Sequence, residues 1–290
     1  MMELTLTAQR RGRLSSFLRR ELKMSTGLVN RLKWKSALLV NGVPQHTDYE
    51  AQPGDVISVI LEEEAPEYPA EDGALDILYE DEWLLAVDKP AGMLIHPSRA
   101  RNEGTLANRV AGYYRKTGQR SAFHPLTRLD RDTFGVVLLA KNSHVHALLQ
   151  AAYPQKTYQA LVYGAPPMQE GEVNAPIARC EMPSLLRRID PEGKPCRTVY
   201  RVLESDGQIS RLELHPITGR THQLRLHCAY LGCPILGDPQ YGTAESAAFS
   251  EALGLTTQLL CARQLTFAHP ITGEPVAIRS HMMPVLPEQV

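Results

Sequence analysis

The feature that most constrains this chain is a densely charged stretch, residues 128–133, that stands directly before an apolar run. The stretch reads Arg-Leu-Asp-Arg-Asp-Thr, and residues 136–140 that follow read Val-Val-Leu-Leu-Ala. The run predicts a buried strand. Two carboxylates and two guanidinium groups at the entry to such a strand are costly unless they pair or take part in chemistry. Asp130 is therefore the first candidate catalytic residue, although a loop Asp serves more often in a turn.

The composition is that of an ordinary globular protein. The 290 residues have room for one or two domains, and the charged and hydrophobic fractions, 22% and 43%, are average. The chain begins without the basic start and apolar run of a signal peptide, and no apolar segment has transmembrane length. Its five cysteines include no C-x-x-C pair, which predicts reduced thiols and a cytoplasmic protein.

Charge divides the chain into three parts. Residues 1–61 hold nine basic and five acidic side chains, a net charge of +4, whereas residues 62–82 hold ten acidic side chains and no basic one. The rest of the chain, 83–290, sums to +5. The acidic part is rich in proline and lacks periodicity, so we predict a solvated linker over residues 64–76. This linker would separate a first domain, 1–63, from a second, 77–290.

The first domain has the pattern of a small α/β module. Apolar spacing predicts a helix over residues 12–22, Ser25 can cap a second helix, and Asn41-Gly42 between apolar runs indicates a hairpin. Arg31 and Lys33 follow the outer side of the second helix. Such a module can grip an RNA backbone, and a basic cap without a ligand is an equally good interpretation of its charge.

The second domain does not alternate strands and helices regularly. A strand is predicted over residues 156–163 and a helix over 221–231, among several shorter elements. This pattern favours an α+β fold with a mixed, largely antiparallel β-sheet and flanking helices over a doubly wound one.

Two further side chains are candidates for the site of Asp130. Arg220, just before the predicted helix, would keep a neighbouring carboxylate ionised and oriented if the two meet. Tyr158 shares a strand face with Lys156. Its ring is either an ordinary strand aromatic or a surface on which a flipped base stacks.

Histidines and cysteines also cluster near the predicted helix. His222 and His227 are five residues apart, which places them off a common helical face, and no H-E-x-x-H pattern occurs. Packing and hydrogen bonding therefore explain this cluster better than a metal does, and we expect no metal. The chain also lacks a P-loop and a G-x-G-x-x-G pattern, which argues against a nucleotide cofactor.

Taken together, these segments resemble the RluA-like family of pseudouridine synthases. The similarity covers about residues 77–270, with motifs in the order that the family has them. They are residues 88–93 (Asp-Lys-Pro-Ala-Gly-Met), 96–97, 128–135, 156–162, 193–195, 218–225, 234–238 and 241–242. Two positions depart from the family pattern, Thr127 for a usual His and Phe134 for a usual Ser. Residues 12–61 resemble the alpha-L RNA-binding motif of ribosomal small-subunit protein four.

The resemblance implies a cofactor-free isomerisation of uridine in ribosomal or transfer RNA, in a central RNA-binding cleft. It implies that Asp130 is the essential catalytic carboxylate, Arg220 its ionic partner and Tyr158 the residue that contacts the target base. Arg128 would take or hold the place of the flipped nucleotide. Lys156 and Leu224, and Arg31 and Lys33 in the first module, are the remaining predicted substrate contacts. We expect a monomer without a membrane or protein partner.

Two alternatives remain open on the sequence. One is an RNA-binding protein with a degenerate catalytic domain, which Thr127 and Phe134 would support. The other is a glycoside hydrolase in which Asp130 pairs with Asp132 or Asp238. The low aromatic content, 6%, speaks against the second, because sugar-binding platforms usually need aromatic rings. Loss of tritium release from carbon 5 of uridine in an Asp130 variant would separate an active synthase from both.

Overall fold

The computed structural model of this protein describes residues 2–62, 68–98, 102–181, 184 and 186–287. We call residues 2–62 the N-terminal module and residues 68–287 the large domain. The module contains, in chain order, β1 (Met2–Thr7), β2 (Gly12–Arg13), α1 (Leu14–Arg20), α2 (Thr26–Lys33), β3 (Leu38–Val40), β4 (Val43–Pro44), β5 (Glu50–Ala51) and β6 (Val56–Leu61).

The module confirms the two predicted helices and the hairpin. The Ser25 hydroxyl accepts a hydrogen bond from the backbone N–H of Leu28 and so caps α2. Asn41 and Gly42 both adopt positive φ, 51° and 77°, which is the turn that joins β3 to β4. Strand β1, which the sequence analysis did not predict, pairs antiparallel with β6 and completes a sheet in the order β1-β6-β3-β4.

The large domain holds twelve strands and four helices within the part of the chain that the structure describes. They are β7 (Ile77–Glu80), β8 (Leu84–Lys89), α3 (Leu106–Thr117), β9 (His124–Pro125), β10 (Phe134–Ala140), α4 (Ser143–Ala151), β11 (Gln155–Tyr163), β12 (Glu170–Asn174), β13 (Ile177–Arg179), β14 (Arg187–Ile189), β15 (Arg197–Ser205), β16 (Ile209–Pro216), α5 (Gln223–Tyr230), α6 (Ala244–Ala252), β17 (Leu260–Ala268) and β18 (Pro275–Arg279).

Ten of these strands form one sheet with the order β12-β15-β16-β11-β17-β10-β8-β7, to which β18 and β9 add. Only β10 and β17 pair in parallel among the described strands, so the predicted mixed, largely antiparallel sheet is confirmed. Gly135 makes the parallel contact possible: a Cβ built there would lie 2.4 Å from the carbonyl oxygen of Ala262, and its φ is 110°. The charged stretch therefore enters the sheet at its centre.

The central strands are buried on both faces, which explains their continuous apolar runs. In β10, Val137 and Leu139 pack with α3 on one face, and Val136 and Leu138 join a cluster on the other face. That second cluster continues into the core of the N-terminal module through residues such as Leu14, Phe17 and Leu18 of α1. The module and the back of the sheet thus share one apolar core.

The segment between the two parts has an unexpected role. Residues 63–67 lie outside the described residues, and the described part of the predicted linker packs along α3. The backbone N–H of Glu71 donates to the carbonyl of Asn108, and its carboxylate accepts from the N–H of Gly104. Gly112 of α3 leaves the space for this contact. The acidic segment is therefore not wholly solvated.

Three helices add to or correct the sequence analysis. Helix α4 is capped by Asn142, whose side chain accepts the N–H of His144. Helix α5 begins at Gln223, two residues after the predicted start. Helix α6, capped by Thr243, was not predicted at all. Within the described residues, no helix is both long enough and apolar enough to span a bilayer.

Candidate active site

A cavity of about 430 Å³ lies over the centre of the large sheet. Three segments build it: the loop before β10, the first half of β11, and the connection from β16 to α5. Six of the predicted site residues line this cavity, namely Asp130, Arg220, Tyr158, Arg128, Lys156 and Leu224. Segments that are far apart in sequence therefore meet where the sequence analysis expected a site.

The ionic partner of Asp130 is Arg225. Its Nη1 lies 3.4 Å from Oδ2 of Asp130. The rest of the guanidinium is fixed by Asp238, whose two carboxylate oxygens accept from Nε at 2.7 Å and from Nη2 at 2.6 Å. Gln240 accepts a further bond from Nη2, and the ring of Tyr241 stacks 4.9 Å away. The arginine is thus held rigidly with one nitrogen turned towards Asp130.

Burial opposes the charge of Arg225, but the hydrogen bonds and charge of Asp238, with the charge of Asp130, raise its pKa nonetheless. Both members of the clamp are almost wholly inside the protein, with 5% and 2% of the side chain of Arg225 and Asp238 exposed. The guanidinium is therefore a permanent positive charge beside Asp130, whose own side chain is 28% exposed to the cavity.

The predicted ion pair between Arg220 and Asp130 is wrong. Among the described residues, the Arg220 side chain donates to the carbonyl of Pro195, and its backbone N–H donates to the Gln223 side chain. The reason is local: α5 starts only at Gln223, so Arg220 stays in the preceding turn at the exposed rim. Arg225 lies in the first turn of the helix and turns inward. In the sequence this arginine stands in the motif over residues 218–225, where no local signal distinguishes it from Arg220.

The loop around Asp130 is stiffened by its own charges. Arg131 donates twice to Asp132, from Nε at 2.9 Å and from Nη2 at 2.8 Å. The carbonyl of Asp130 accepts from the N–H of Thr133, which closes a turn. Beneath the loop, the Lys89 ammonium donates to the carbonyls of Pro90, Met93 and Arg131, each at 2.9 Å. Burial of this lysine lowers its pKa to about 8.

Tyr158 and Lys156 both line the cavity from β11, as their strand spacing predicted. The pairing of β11 with β17 shifts register between Thr157 and Tyr158. Burial, with the nearby Asp130, raises the pKa of the Tyr158 phenol, so the phenol stays protonated near neutral pH. Burial lowers the pKa of Lys156. Leu224 is buried in the wall of the cavity.

The remaining predicted contacts lie outside the cavity or at its rim. Arg128 lines it with an exposed side chain. Arg31 and Lys33 are on α2 of the N-terminal module and are not part of the cavity wall. Beside them Trp34 is 81% exposed, and the Lys33 ammonium lies 5.2 Å from its ring centre.

His222 is the cavity residue whose position the sequence analysis missed, because it was considered only as a metal ligand. It precedes α5 with φ 57° and ψ 18°. Its Nδ1 lies 2.6 Å from the Tyr241 hydroxyl, and its Nε2 lies 3.9 Å from Oδ2 of Asp130. His227, by contrast, points away and is bonded to the hydroxyl of Thr198 and the carbonyl of Ala175.

The only group of three possible metal ligands in the described part of the chain is elsewhere, formed by Asp76, Asp88 and His281. Asp88 is already engaged there, because it accepts from the Ser280 hydroxyl and from the N–H of His281.

This arrangement can support nucleophilic or general-base chemistry by one carboxylate. Asp132 and Asp238 are each tied to an arginine, so neither is a free second carboxylate opposite Asp130. The two-carboxylate glycosidase hypothesis is therefore not supported. A fixed cation, a protonated phenol and a rim of exposed arginines instead fit an anionic polymer that presents a flat ring.

The sequence of this chain is similar to those of known proteins. A family model described as RNA pseudouridylate synthase matches residues 83–230. A Bacillus subtilis (strain 168) protein named as an uncharacterized RNA pseudouridine synthase, YjbO, is 35% identical over 261 residues, which cover 88% of this chain and 90% of that protein. Ribosomal large subunit pseudouridine synthase C of Vibrio vulnificus (strain CMCP6) is 34% identical over 287 residues, 93% of this chain and 89% of that one.

The chain is also similar to a solved structure. Human RNA pseudouridylate synthase domain containing 4 is 26% identical to this chain, with a TM-score of 0.58. The similarity covers 73% of this chain and 89% of that one. Every residue that lines the cavity except Leu260 lies within the span of the family match.

Proposed function

The chain belongs to the RNA pseudouridylate synthase family, and on that premise we propose that Asp130 carries out the isomerisation of uridine in ribosomal RNA. The reaction breaks the bond from uracil N1 to C1′ of the ribose, turns the base and joins its carbon 5 to C1′. The proton on carbon 5 leaves and N1 gains one, so the isomerisation is balanced without an added group. The observation that carries the proposal is the Asp130 carboxylate held at 3.4 Å from the clamped Arg225.

We assign roles to the other cavity residues from their positions. The target uridine has to leave its stack to reach Asp130, at a cost of a few kcal/mol. Tyr158 and Leu224 would contact the flipped base, and Arg128 would occupy the gap it leaves. Lys156 and the exposed Arg220 would bind phosphates. Arg220 thus keeps a place in the site, as an RNA contact instead of the partner of Asp130.

Relatives support ribosomal RNA as the substrate class. Besides the Vibrio protein, a relative from Zymomonas mobilis is named ribosomal large subunit pseudouridine synthase D and is 37% identical over 226 residues, 73% of this chain and 70% of that one. We assign the N-terminal module, with Arg31 and Lys33 on α2, to gripping the RNA outside the cavity. A monomer in the cytoplasm would meet this substrate without a protein partner.

The test is tritium release from [5-³H]uridine-labelled total RNA of cells that lack the protein. We expect release by the wild type and none by Asp130→Asn, which keeps the size of the side chain. Asp72→Asn, an exposed carboxylate on the described linker with 84% of its side chain accessible, is the matched control and should release tritium at the wild-type rate.

Separation of the RNA before and after the reaction identifies the substrate. New pseudouridine in the large ribosomal RNA supports the proposal, whereas pseudouridine only in transfer RNA would reject its substrate class. Undiminished release by Asp130→Asn would reject the assignment of Asp130.

A further inference from the structure

The backbone of His222 adopts a conformation that L-residues seldom use. Its φ of 57° and ψ of 18° are left-handed, and its side chain makes no capping bond to α5. Strain of this kind persists only where the surroundings enforce it, and it concentrates at functional sites. Here the result is that the imidazole turns into the cavity, with 16% of the side chain exposed.

The neighbours of His222 select one tautomer of its ring. The Tyr241 oxygen accepts a hydrogen bond from the backbone N–H of Arg187 at 3.1 Å and lies 2.6 Å from Nδ1 of His222. The phenol can therefore donate its own proton to Nδ1, which leaves the imidazole proton on Nε2. On the opposite side Nε2 faces Oδ2 of Asp130, and an N–H is the group that a carboxylate favours there.

Arg225 and His222 approach the same oxygen of the Asp130 carboxylate. Arg225 Nη1 is 3.4 Å and His222 Nε2 is 3.9 Å from Oδ2. Within the described residues, no protein donor reaches Oδ1. The carboxylate thus has one oxygen anchored by the protein and the other turned to the cavity.

We propose that His222 is a positioning residue for the reaction, which with Arg225 anchors Oδ2 of Asp130 and presents Oδ1 to the uridine. Tyr241 is the group that fixes its tautomer. This inference rests on the proposed function, because it assumes that Asp130 is the reacting group. The charged and titratable groups that face the imidazole are Asp130, Arg225, Arg187, Asp238 and Tyr241, and burial keeps the ring neutral by lowering its pKa.

Three variants test the proposal in single-turnover tritium release with excess enzyme over labelled total RNA. His222→Asn tolerates the left-handed backbone but removes the donor at the ε position. We expect its rate at saturating enzyme to fall about tenfold, with the half-saturating enzyme concentration unchanged. His222→Gln places an amide N–H near the ε position and should recover at least a third of the wild-type rate.

Rescue by the conservative variant separates positioning from a structural role. A residue needed only for packing would be impaired by both substitutions alike, whereas the lost N–H donor is restored by His222→Gln alone. Tyr241→Phe keeps the ring beside Arg225 but loses the donor to Nδ1, and should lower the rate about fivefold. It also provides a test if the His222 variants do not fold.

Each outcome decides between the claims. If Asp130→Asn is as active as the wild type, the proposed function fails. If Asp130→Asn is inactive but His222→Asn keeps the wild-type rate, only the positioning role is overturned. Equal losses of rate in His222→Asn and His222→Gln would also overturn it, as would a fully active Tyr241→Phe.

Discussion

The orientation of the Arg225 guanidinium group depends on the hydrogen bonds that hold it. It reaches Asp130 with one nitrogen only because its other nitrogens are held by Asp238 and Gln240. Lysine keeps the charge but has no planar fork, so Arg225→Lys should lose one or more of these charged hydrogen bonds, each worth about 1.5–3 kcal/mol. We expect the single-turnover rate of tritium release to fall roughly 10–100-fold.

The matched control is Arg201→Lys, an exposed arginine on β15 that pairs with Glu213. It should leave the rate unchanged, since surface ion pairs contribute little. An Arg225→Lys rate within twofold of the wild type would contradict the role of the clamp.

The sequence predicted the carboxylate of Asp130 but not its partner, Arg225. Arg220 and Arg225 stand five residues apart, and either could have faced Asp130. Which one does depends on where α5 begins and on the left-handed turn at His222. Histidine is one of the residues enriched in that conformation, but it adopts the conformation only occasionally, so the tertiary contacts decide whether it does so here. The pairing of Arg225 with Asp238 likewise joins residues whose proximity no local pattern encodes.

Strand β10 positions the site, because the loop that holds Asp130 leads directly into this strand. Gly135 lets β10 approach β17 because it has no Cβ. Gly135→Ala should therefore combine the strain of its φ of 110° with a clash against Ala262. Gly207→Ala has a similar φ, 89°, but open space around the new methyl group. We expect Gly135→Ala to lower the free energy of unfolding in urea by about 2 kcal/mol more than Gly207→Ala does. Equal losses would show that the close approach of the two strands is unimportant.

Elements with strong local signals were predicted well. The strand over 156–163, the Asn41-Gly42 turn and the helix that Ser25 caps follow periodicity and turn chemistry. Helix α6 was missed because its sequence, AESAAFSEA, has little apolar contrast, although Thr243 and Ser246 form a capping box. Strand β1 was missed because its place in the sheet depends on β6, whose paired residues lie 49 to 59 positions further along the chain.

The whole molecule combines an N-terminal part of net charge +4, an acidic segment over residues 62–82 and a remainder that sums to +5. The division into domains at residues 63 and 77 stays a prediction, and the shared apolar core shows that deleting the module would also uncover part of the large domain.

Charge substitutions are therefore a better probe of RNA binding by the module than its deletion. Arg31→Gln with Lys33→Gln should lower the slope of log affinity for labelled RNA against log salt by roughly 1.5, because each phosphate contact contributes about 0.7–0.9. Lys116→Gln with Arg279→Gln, exposed in the large domain, is the control with equal charge change. Identical slopes in the two double variants would place the RNA contact elsewhere.

Histidines whose pKa is lowered by burial should make the free energy of unfolding depend on pH. Burial lowers the pKa of His96, His144, His146, His222 and His227, so the folded state keeps these rings neutral where the unfolded chain, with an ordinary pKa near 6.5, takes up protons. Because the unfolded state then binds more protons, the free energy of unfolding should fall as the pH drops from about 6.5 towards 5.

Urea denaturation at a series of pH values measures this slope. His227→Gln, which removes one buried ring, should flatten it, whereas His281→Gln, with 70% of the side chain exposed, should leave it unchanged. His144 would extend the effect to the contact between the two parts of the protein, since its ring meets the backbone of Leu22 in the module. A free energy of unfolding that stays constant between pH 7 and 5 would mean that these histidines are protonated in the folded protein, and that the shared core tolerates their charge.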